Sequence, residues 1–532
     1  MLAETRGHPL VAAVVLFTLW YVVSATVAWW RLRHIPGPAV ARFSYLWHIY
    51  YLLRGNGGPV YAGLHNRYAG GGPFVRITPN TVVTNDPDIL RQIAAARTRY
   101  GRDAWYEGAQ FHPEYGNVAS IIDNEKHDAL KAKTASSYSG RENGPDFEPA
   151  IDAQIAALAA LIRRKHLSTS DRLRVAEISV LMRYFTLDVI TRLGYGKPFG
   201  HLEEGADVTG YVGYLDVALK YVAVVFEVPL LRSFMFSRFG LSWLGPKPTD
   251  KRGPGRILKY VFFIFPVTSF LAVCRAARLT PAPPDGRTIH DLVSERFQQD
   301  TKSRTWNDMI GGFIRNGLTQ QEVEGEANLQ ILAGSETTAT ALAATLIHLA
   351  TAPHAYMRLK RQIYDAIHSG QVAPDGPITF EQAQKLPYLQ AVIWEGFRMR
   401  NPVNFGHYKS VPPEGDTIRG VFLPGGTAIG HNTLALTRNA SVFGRDVDMF
   451  RPERFLEPEC DAETRAYRVR SLDIVFGGGR WTCSGKQVAL YELNKTVFEV
   501  SRCLNLLLVS LFHIIPLAPK TEIGVSGETI WC

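Results

Sequence analysis

Phe476-Gly477-Gly478-Gly479-Arg480-Trp481-Thr482-Cys483-Ser484-Gly485 decides how this chain is read, and a helical pattern follows it from Lys486 onward. Three consecutive glycines let the backbone come close to a large flat ligand. A cysteine just ahead of a helix has its thiolate favoured by the N-terminal dipole and the free N–H groups. Taken alone, the segment also reads as a glycine-rich turn around a buried, inert cysteine. A phosphate loop fits worse, because the glycines match neither GxGxxG nor a P-loop with its Lys-Ser/Thr.

Three further segments weigh against the inert turn. Glu395-Gly396-Phe397-Arg398 sets a carboxylate and a guanidinium at i and i+3 on one helix face; by itself such a pair is usually a weak surface contact. Arg451-Pro452-Glu453-Arg454-Phe455 lies between that helix and the cysteine, and its Arg454 completes a candidate buried Glu-Arg-Arg set. Ala333-Gly334-Ser335-Glu336-Thr337-Thr338 interrupts an otherwise apolar helix with a small pair followed by an acid-alcohol pair. Its plain reading is that both threonines bond back to preceding carbonyls. A thiolate at Cys483 suits haem iron, to which it donates electron density that favours O–O cleavage.

These four motifs, in this order and ending in that cysteine, resemble the cytochrome P450 family over residues 36–502. Tyr138-Ser139-Gly140-Arg141-Glu142-Asn143 and the run from Gly485 to Lys495 are similar to fungal microsomal members near the pisatin demethylase-like group. The resemblance implies a mainly α fold with small β-sheets (α+β). It implies Cys483 as axial iron ligand and Glu395, Arg398 and Arg454 as the set holding its loop. Glu336 and Thr337 match the distal pair that feeds protons to O2, with Ala333 and Gly334 making room. His127 and Lys131, at i and i+4, stand where the family faces the haem propionates, although His127 alone also reads as a surface histidine. Arg480 sits one residue before the family's usual basic position, which Trp481 occupies. The cofactor implied is haem b, with O2 as co-substrate. Electrons would come from NADPH through a separate membrane-bound flavoprotein reductase, since 532 residues leave no room for a flavin domain.

Composition agrees. Hydrophobic residues make up 46% and charged residues 20%, as in a packed globular body. The net charge of +9 suits an anionic partner, but the charges are scattered, which disfavours nucleic acid. Five cysteines without CxxC spacing form neither a disulfide framework nor a structural zinc site, so a reducing compartment is expected.

Leu10 to Trp30 carries no charge and matches the roughly 20 apolar residues that cross a bilayer. A cleaved signal peptide is the alternative, disfavoured by the two tryptophans and Arg31 that end the run. Arg31 and Arg33 follow the span while Glu4 offsets Arg6, which places the body on the cytosolic side. The organisation expected is a lumenal terminus (1–9), a transmembrane anchor (10–30), a proline-rich hinge (31–38) and a catalytic domain (39–532), single-pass in the endoplasmic reticulum membrane.

Along the body, helical spacing runs from Asp146 to Arg192, from Thr319 to Leu349 and from Tyr388 to Met399. His407 to Ile429 reads as short strands and turns. Val261 to Val273 is an apolar run with Pro266 inside it. It is a buried segment, a loop dipping into lipid, or an insertion reaching to Asp291. After Arg502 the family's substrate-facing turn has no clear counterpart. The function expected is insertion of one oxygen atom of O2 into a hydrophobic, polycyclic or polyketide-like molecule of fungal secondary metabolism. The access region is expected at Tyr100–Ala119 and Pro402–Gly406. Two rivals stand beside it: a haem-thiolate isomerase or dehydratase, against which the Glu336-Thr337 pair argues, and a catalytically silent haem-binding protein.

Overall fold

The computed structural model describes residues 8–517 apart from 56, 69, 71, 111, 113, 141–145, 170, 238, 241–288, 300–305, 504 and 511–512. Ten helices matter for the site: α1 (His8–Arg31), α2 (Leu46–Arg54), α3 (Asn124–Tyr138), α4 (Phe147–Leu161), α5 (Ile178–Tyr195), α6 (Tyr211–Glu227), α7 (Ile289–Gln298), α8 (Gln320–Thr351), α9 (Pro387–Met399) and α10 (Lys486–Cys503). The strands are β1 (Val75–Arg76), β2 (Thr81–Thr84), β3 (Gly101–Arg102), β4 (Ala176–Glu177), β5 (Lys409–Ser410), β6 (Asp416–Ile418), β7 (Val421–Leu423), β8 (Ala428–His431), β9 (Asn505–Ser510) and β10 (His513–Leu517).

α8 is the central rod, packed against α5, α9 and α10. Thr319 and Glu322 form the expected capping box at its start, and Pro353 opens the next helix. Val323, Ala327, Ile331, Leu342 and Leu346 bury its length in the main core. The helical block expected from Asp146 to Arg192 is in fact two helices. A π-helical turn (Ile162–His166) ends α4, and β4 precedes α5. The main sheet has order β1-β2-β8-β5-β3, with β2 and β8 parallel (Thr81 opposite Ala428) and the other pairs antiparallel. β6 and β7 form a hairpin, and β9 and β10 form another that adds β4.

Residues 31–38 were expected to be a hinge, and here the structure differs. Leu32 and Ile35 are buried with Phe74, Val82 and Ile429. A Cβ on Gly37 would lie 2.2 Å from Arg76 O, so the two backbones touch. Arg76 Nη2 donates to the carbonyls of Ala28 (2.9 Å), Arg42 (3.0 Å) and Pro79 (2.6 Å), and Arg31 Nη2 donates to Gly425 O (2.6 Å). The end of α1 is thus joined to the body. Val11–Arg31 is the one helix among the described residues long and apolar enough to cross a membrane.

The Val261–Val273 run lies outside the described residues, but the far end of the proposed insertion does not. Ile289 is 2% exposed in the main core, and His290 Nδ1 lies 2.8 Å from Glu324 Oε1. Those residues belong to the packed body.

Candidate active site

The Cys483 loop closes one wall of a cavity of about 470 Å³ that lies against α8. Gly477 (φ 75°) and Gly479 (φ 57°) are left-handed, and a Cβ on either would lie 2.5 Å from Trp481 O or 2.4 Å from Ala94 O. The loop closes on itself where Cys483 N–H donates to Phe476 O at 2.6 Å. Cys483 keeps accessible surface although it is deep in the protein, because it borders the cavity. Burial raises its thiol, opposed by the N–H groups of Gly485 and Lys486 and by the charge of Lys131. Cys460 and Cys503, the other described cysteines, are buried.

Behind the loop, Glu395, Arg398 and Arg454 come together with at most 1% exposure. Glu395 accepts from Arg398 Nε and Nη2 (2.8 Å each), from Arg454 Nε (3.0 Å) and from Arg451 N–H (2.7 Å). Arg398 continues to the carbonyls of Thr437, Val447 and Met449. The set therefore staples α9 to the segment 437–454 that leads toward the cysteine.

A row of donors forms one side of the cavity. Lys131 Nζ donates to Arg480 O (2.7 Å) and Thr482 O (2.5 Å). His127 is 1% exposed, which rules out the surface reading; its ring lies 4.2 Å from that of Trp481. Burial pushes His127 down to about 4. Arg102, Lys409, His407 and His431 complete the row. Burial lowers Lys409 to about 6, with repulsion from Arg102 and Arg480 adding to it. Arg480 itself is not in the cavity wall. Its Nη1 pairs with Asp128 Oδ2 at 3.1 Å, and Asp128 Oδ1 lies 2.9 Å from His127 Nδ1.

The facing wall is α8. Thr337 and Thr338 line it with Ala333 and Gly334. Thr337 Oγ1 donates to Ala333 O at 2.7 Å, the plain reading for that residue. A Cβ on Gly334 would lie 2.9 Å from Ile190 Cγ1, so this glycine admits α5. Glu336 does not border the cavity. Its Oε2 lies 3.1 Å from Arg183 Nε, and Arg183 Nη1 lies 2.5 Å from Asp216 on α6, half exposed at 56%. Burial raises the Glu336 carboxyl, and Arg183 opposes it.

The Cytochrome P450 family model matches residues 261–503. A cytochrome P450 monooxygenase, ABA1, of Pyricularia oryzae (strain 70-15) is 40% identical over 499 residues, covering 93% of this chain and 91% of that protein. Its namesake aba1 of Botryotinia fuckeliana (strain B05.10) is 39% identical over 90% of this chain and 87% of its own length. Pisatin demethylase of Fusarium vanettenii is 28% identical over 91% and 85%. The chain belongs to the cytochrome P450 family. It is a haem-thiolate monooxygenase, acting on a small molecule with O2 and with electrons from a separate reductase.

The P450 cavity fits haem on its own residues. The cofactor needs one axial donor and cationic partners for two propionates. Cys483 supplies a thiol, and Arg102 Nε, Lys409 Nζ, His407 Nδ1 and His431 Nε2 are buried polar atoms without a hydrogen-bond partner in its wall. Sequence reading missed these four. His407 lies just ahead of β5 with a left-handed backbone (φ 50°), so no strand period pairs it with Lys409. Arg102 stands alone in a two-residue strand and offered no pattern. Of the expected access region, Tyr106, Val118, Ala119, Pro402 and Val403 reach the cavity. Phe405 instead packs on Tyr61 at 4.2 Å, and Phe111 lies outside the described residues.

Proposed function

We propose that Cys483, as thiolate, would hold the iron of a haem b, and that His127, Lys131, Arg102 and Lys409 would hold its propionates. Arg480 steadies His127 through Asp128. The observation that carries this reading is a cysteine thiol facing a donor-lined cavity across from α8. When bound, haem supplies activation of O2 for insertion into a C–H bond. The chain's own residues do the rest. Glu395, Arg398 and Arg454 keep the loop in place. Glu336, tied through Arg183 to the half-exposed Asp216, brings protons inward from solvent, and the Thr337 hydroxyl hands them into the cavity.

Val118, Ala119, Ile190, Leu329, Ala333 and Val403 make the chamber apolar, which selects a hydrophobic substrate. The named relatives support a place in fungal secondary metabolism. Electrons come from NADPH through a membrane-bound flavoprotein reductase. The α1 helix anchors the protein in the endoplasmic reticulum membrane with residues 39–532 cytosolic, an orientation supported by Arg31 and Arg33.

The test is reconstitution with NADPH and a microsomal reductase over a library of hydrophobic molecules under isotope-labelled O2. One labelled atom per product is expected, and only when the reductase is present. Product formed without reductase and without label would support the isomerase or dehydratase instead.

A further inference from the structure

The loop between the turn Ala104–Ala109 and α3 contributes Val118 and Ala119 to the cavity wall. Val118 is held through both of its peptide groups. Its N–H donates to Glu326 Oε1 at 2.6 Å, and its carbonyl accepts from Arg102 Nη1 at 2.8 Å. The same Nη1 reaches the carbonyls of Ala119 (3.0 Å) and Ile121 (2.9 Å). Asn117 Oδ1 closes the turn by accepting from the N–H groups of Ala119 and Ser120.

Neither anchor is free to move. The Arg102 guanidinium lies between two rings, 4.4 Å from that of Tyr106 and 4.2 Å from that of Trp481. Trp481 is in the cysteine loop, so Arg102 is fixed from the cofactor side. Glu326 is fixed from the other side, on α8, one and two turns ahead of the cavity-lining Gln330 and Ala333 on the same face.

Glu326 is 0% exposed and its Oε2 has no hydrogen-bond partner. A carboxyl buried on a single backbone bond is costly where leucine would pack at no such cost. The bond to Val118 N–H is what its buried carboxyl contributes in return. Were Val118 held at one peptide group only, the wall would yield to a bulky substrate by a small shift. Held at both, it moves only by stranding a buried N–H or carbonyl.

We propose that Glu326 is a positioning residue that sets substrate specificity, clamping Val118 against Arg102 so that this wall excludes bulk. It acts through Val118 and touches no reacting atom. The proposal rests on the haem-thiolate reading of the cavity.

The experiment uses full-length holoenzyme as wild type, Glu326→Ala, Glu326→Gln and Val118→Ala. Each is titrated spectrally with imidazole, which is small, and clotrimazole, which is bulky. Amide hydrogen exchange is followed over residues 116–121. Glu326→Ala is expected to keep the thiolate CO band and to speed exchange in that segment about tenfold, the scale of one buried N–H losing its acceptor. Clotrimazole affinity should rise by a similar factor while imidazole affinity stays put. Glu326→Gln restores both, because its amide oxygen accepts the same N–H. Val118→Ala reproduces the size effect and leaves exchange unchanged.

Unaltered exchange in Glu326→Ala, an equal shift for both azoles, or no rescue by glutamine would overturn the proposal. If Glu326→Ala loses haem, Val118→Ala decides: no gain in clotrimazole over imidazole overturns it. A wild-type protein lacking the CO band would strike at the haem-thiolate reading and not at the clamp.

Discussion

Replacing Glu395 with alanine removes the acceptor of four hydrogen bonds at once. Two come from Arg398, one from Arg454 Nε and one from Arg451 N–H. Arg454 retains Asp446 at 3.1 Å, a carboxyl that its two arginine neighbours hold down to about 2. Arg398 keeps three carbonyl oxygens and the Met399 sulfur, so its charge is left buried with no carboxylate partner among the described residues. Breaking one partner out of a buried pair costs about 3–5 kcal/mol. Whole-protein stabilities are about 5–15 kcal/mol, so about a fifth of the total at the least is at stake. Glu395→Gln keeps an oxygen for Arg454 and the Arg451 N–H but loses the charge, and should fall between. The assay is haem content per protein, read beside thermal unfolding. Alanine should lose most of its haem and melt several degrees lower, with glutamine intermediate. Alanine with full haem and an unmoved melting temperature would refute the reasoning that the set is structural.

Thr337→Ala should leave haem and azole binding intact while NADPH oxidation continues and peroxide replaces product, measured as the ratio of product to NADPH; unchanged coupling would move the hydroxyl's role to Thr338. Lys409→Met should lower haem retention by roughly 10- to 150-fold, the scale of losing one charge-assisted bond of about 1.5–3 kcal/mol, followed as haem transfer to apomyoglobin; unchanged transfer would remove Lys409 from the propionate set. Glu326 carries a pH signature: burial raises it from 4.5 to about 7. Its contribution is therefore whole below pH 4.5 and lost as pH rises through 7, amounting to about 3 kcal/mol at full ionisation. Glu326→Gln should flatten the fall in unfolding stability between those values, and a parallel fall in both proteins would refute the assignment.

What was legible in the sequence was whatever is local. The Cys483 loop, the Glu395–Arg398 spacing and the Thr319 capping box are each set within one turn or one helix, and the structure shows all three. Arg454 was readable because its segment is itself a motif. Arg102 on β3 lies about 300 residues from Lys409 on β5, from His407 just ahead of it and from His431 on β8, and the β3-β5-β8 pairing brings them to one wall. Glu336 and Thr337 illustrate a different limit. Adjacent residues on a helix point about 100° apart, so one borders the cavity while its neighbour turns to Arg183. Residues 31–38 misled because prolines mark both hinges and packed extended segments, and only the burial of Leu32 and Ile35 tells them apart.

The central claim is that Cys483 alone gives this cavity its iron ligand. The direct measurement is the CO difference spectrum of reduced, purified full-length protein as wild type, Cys483→Ala and Cys460→Ala. Wild type and Cys460→Ala should show the red-shifted thiolate Soret band, and Cys483→Ala should show none. A thiolate band surviving in Cys483→Ala would contradict the account.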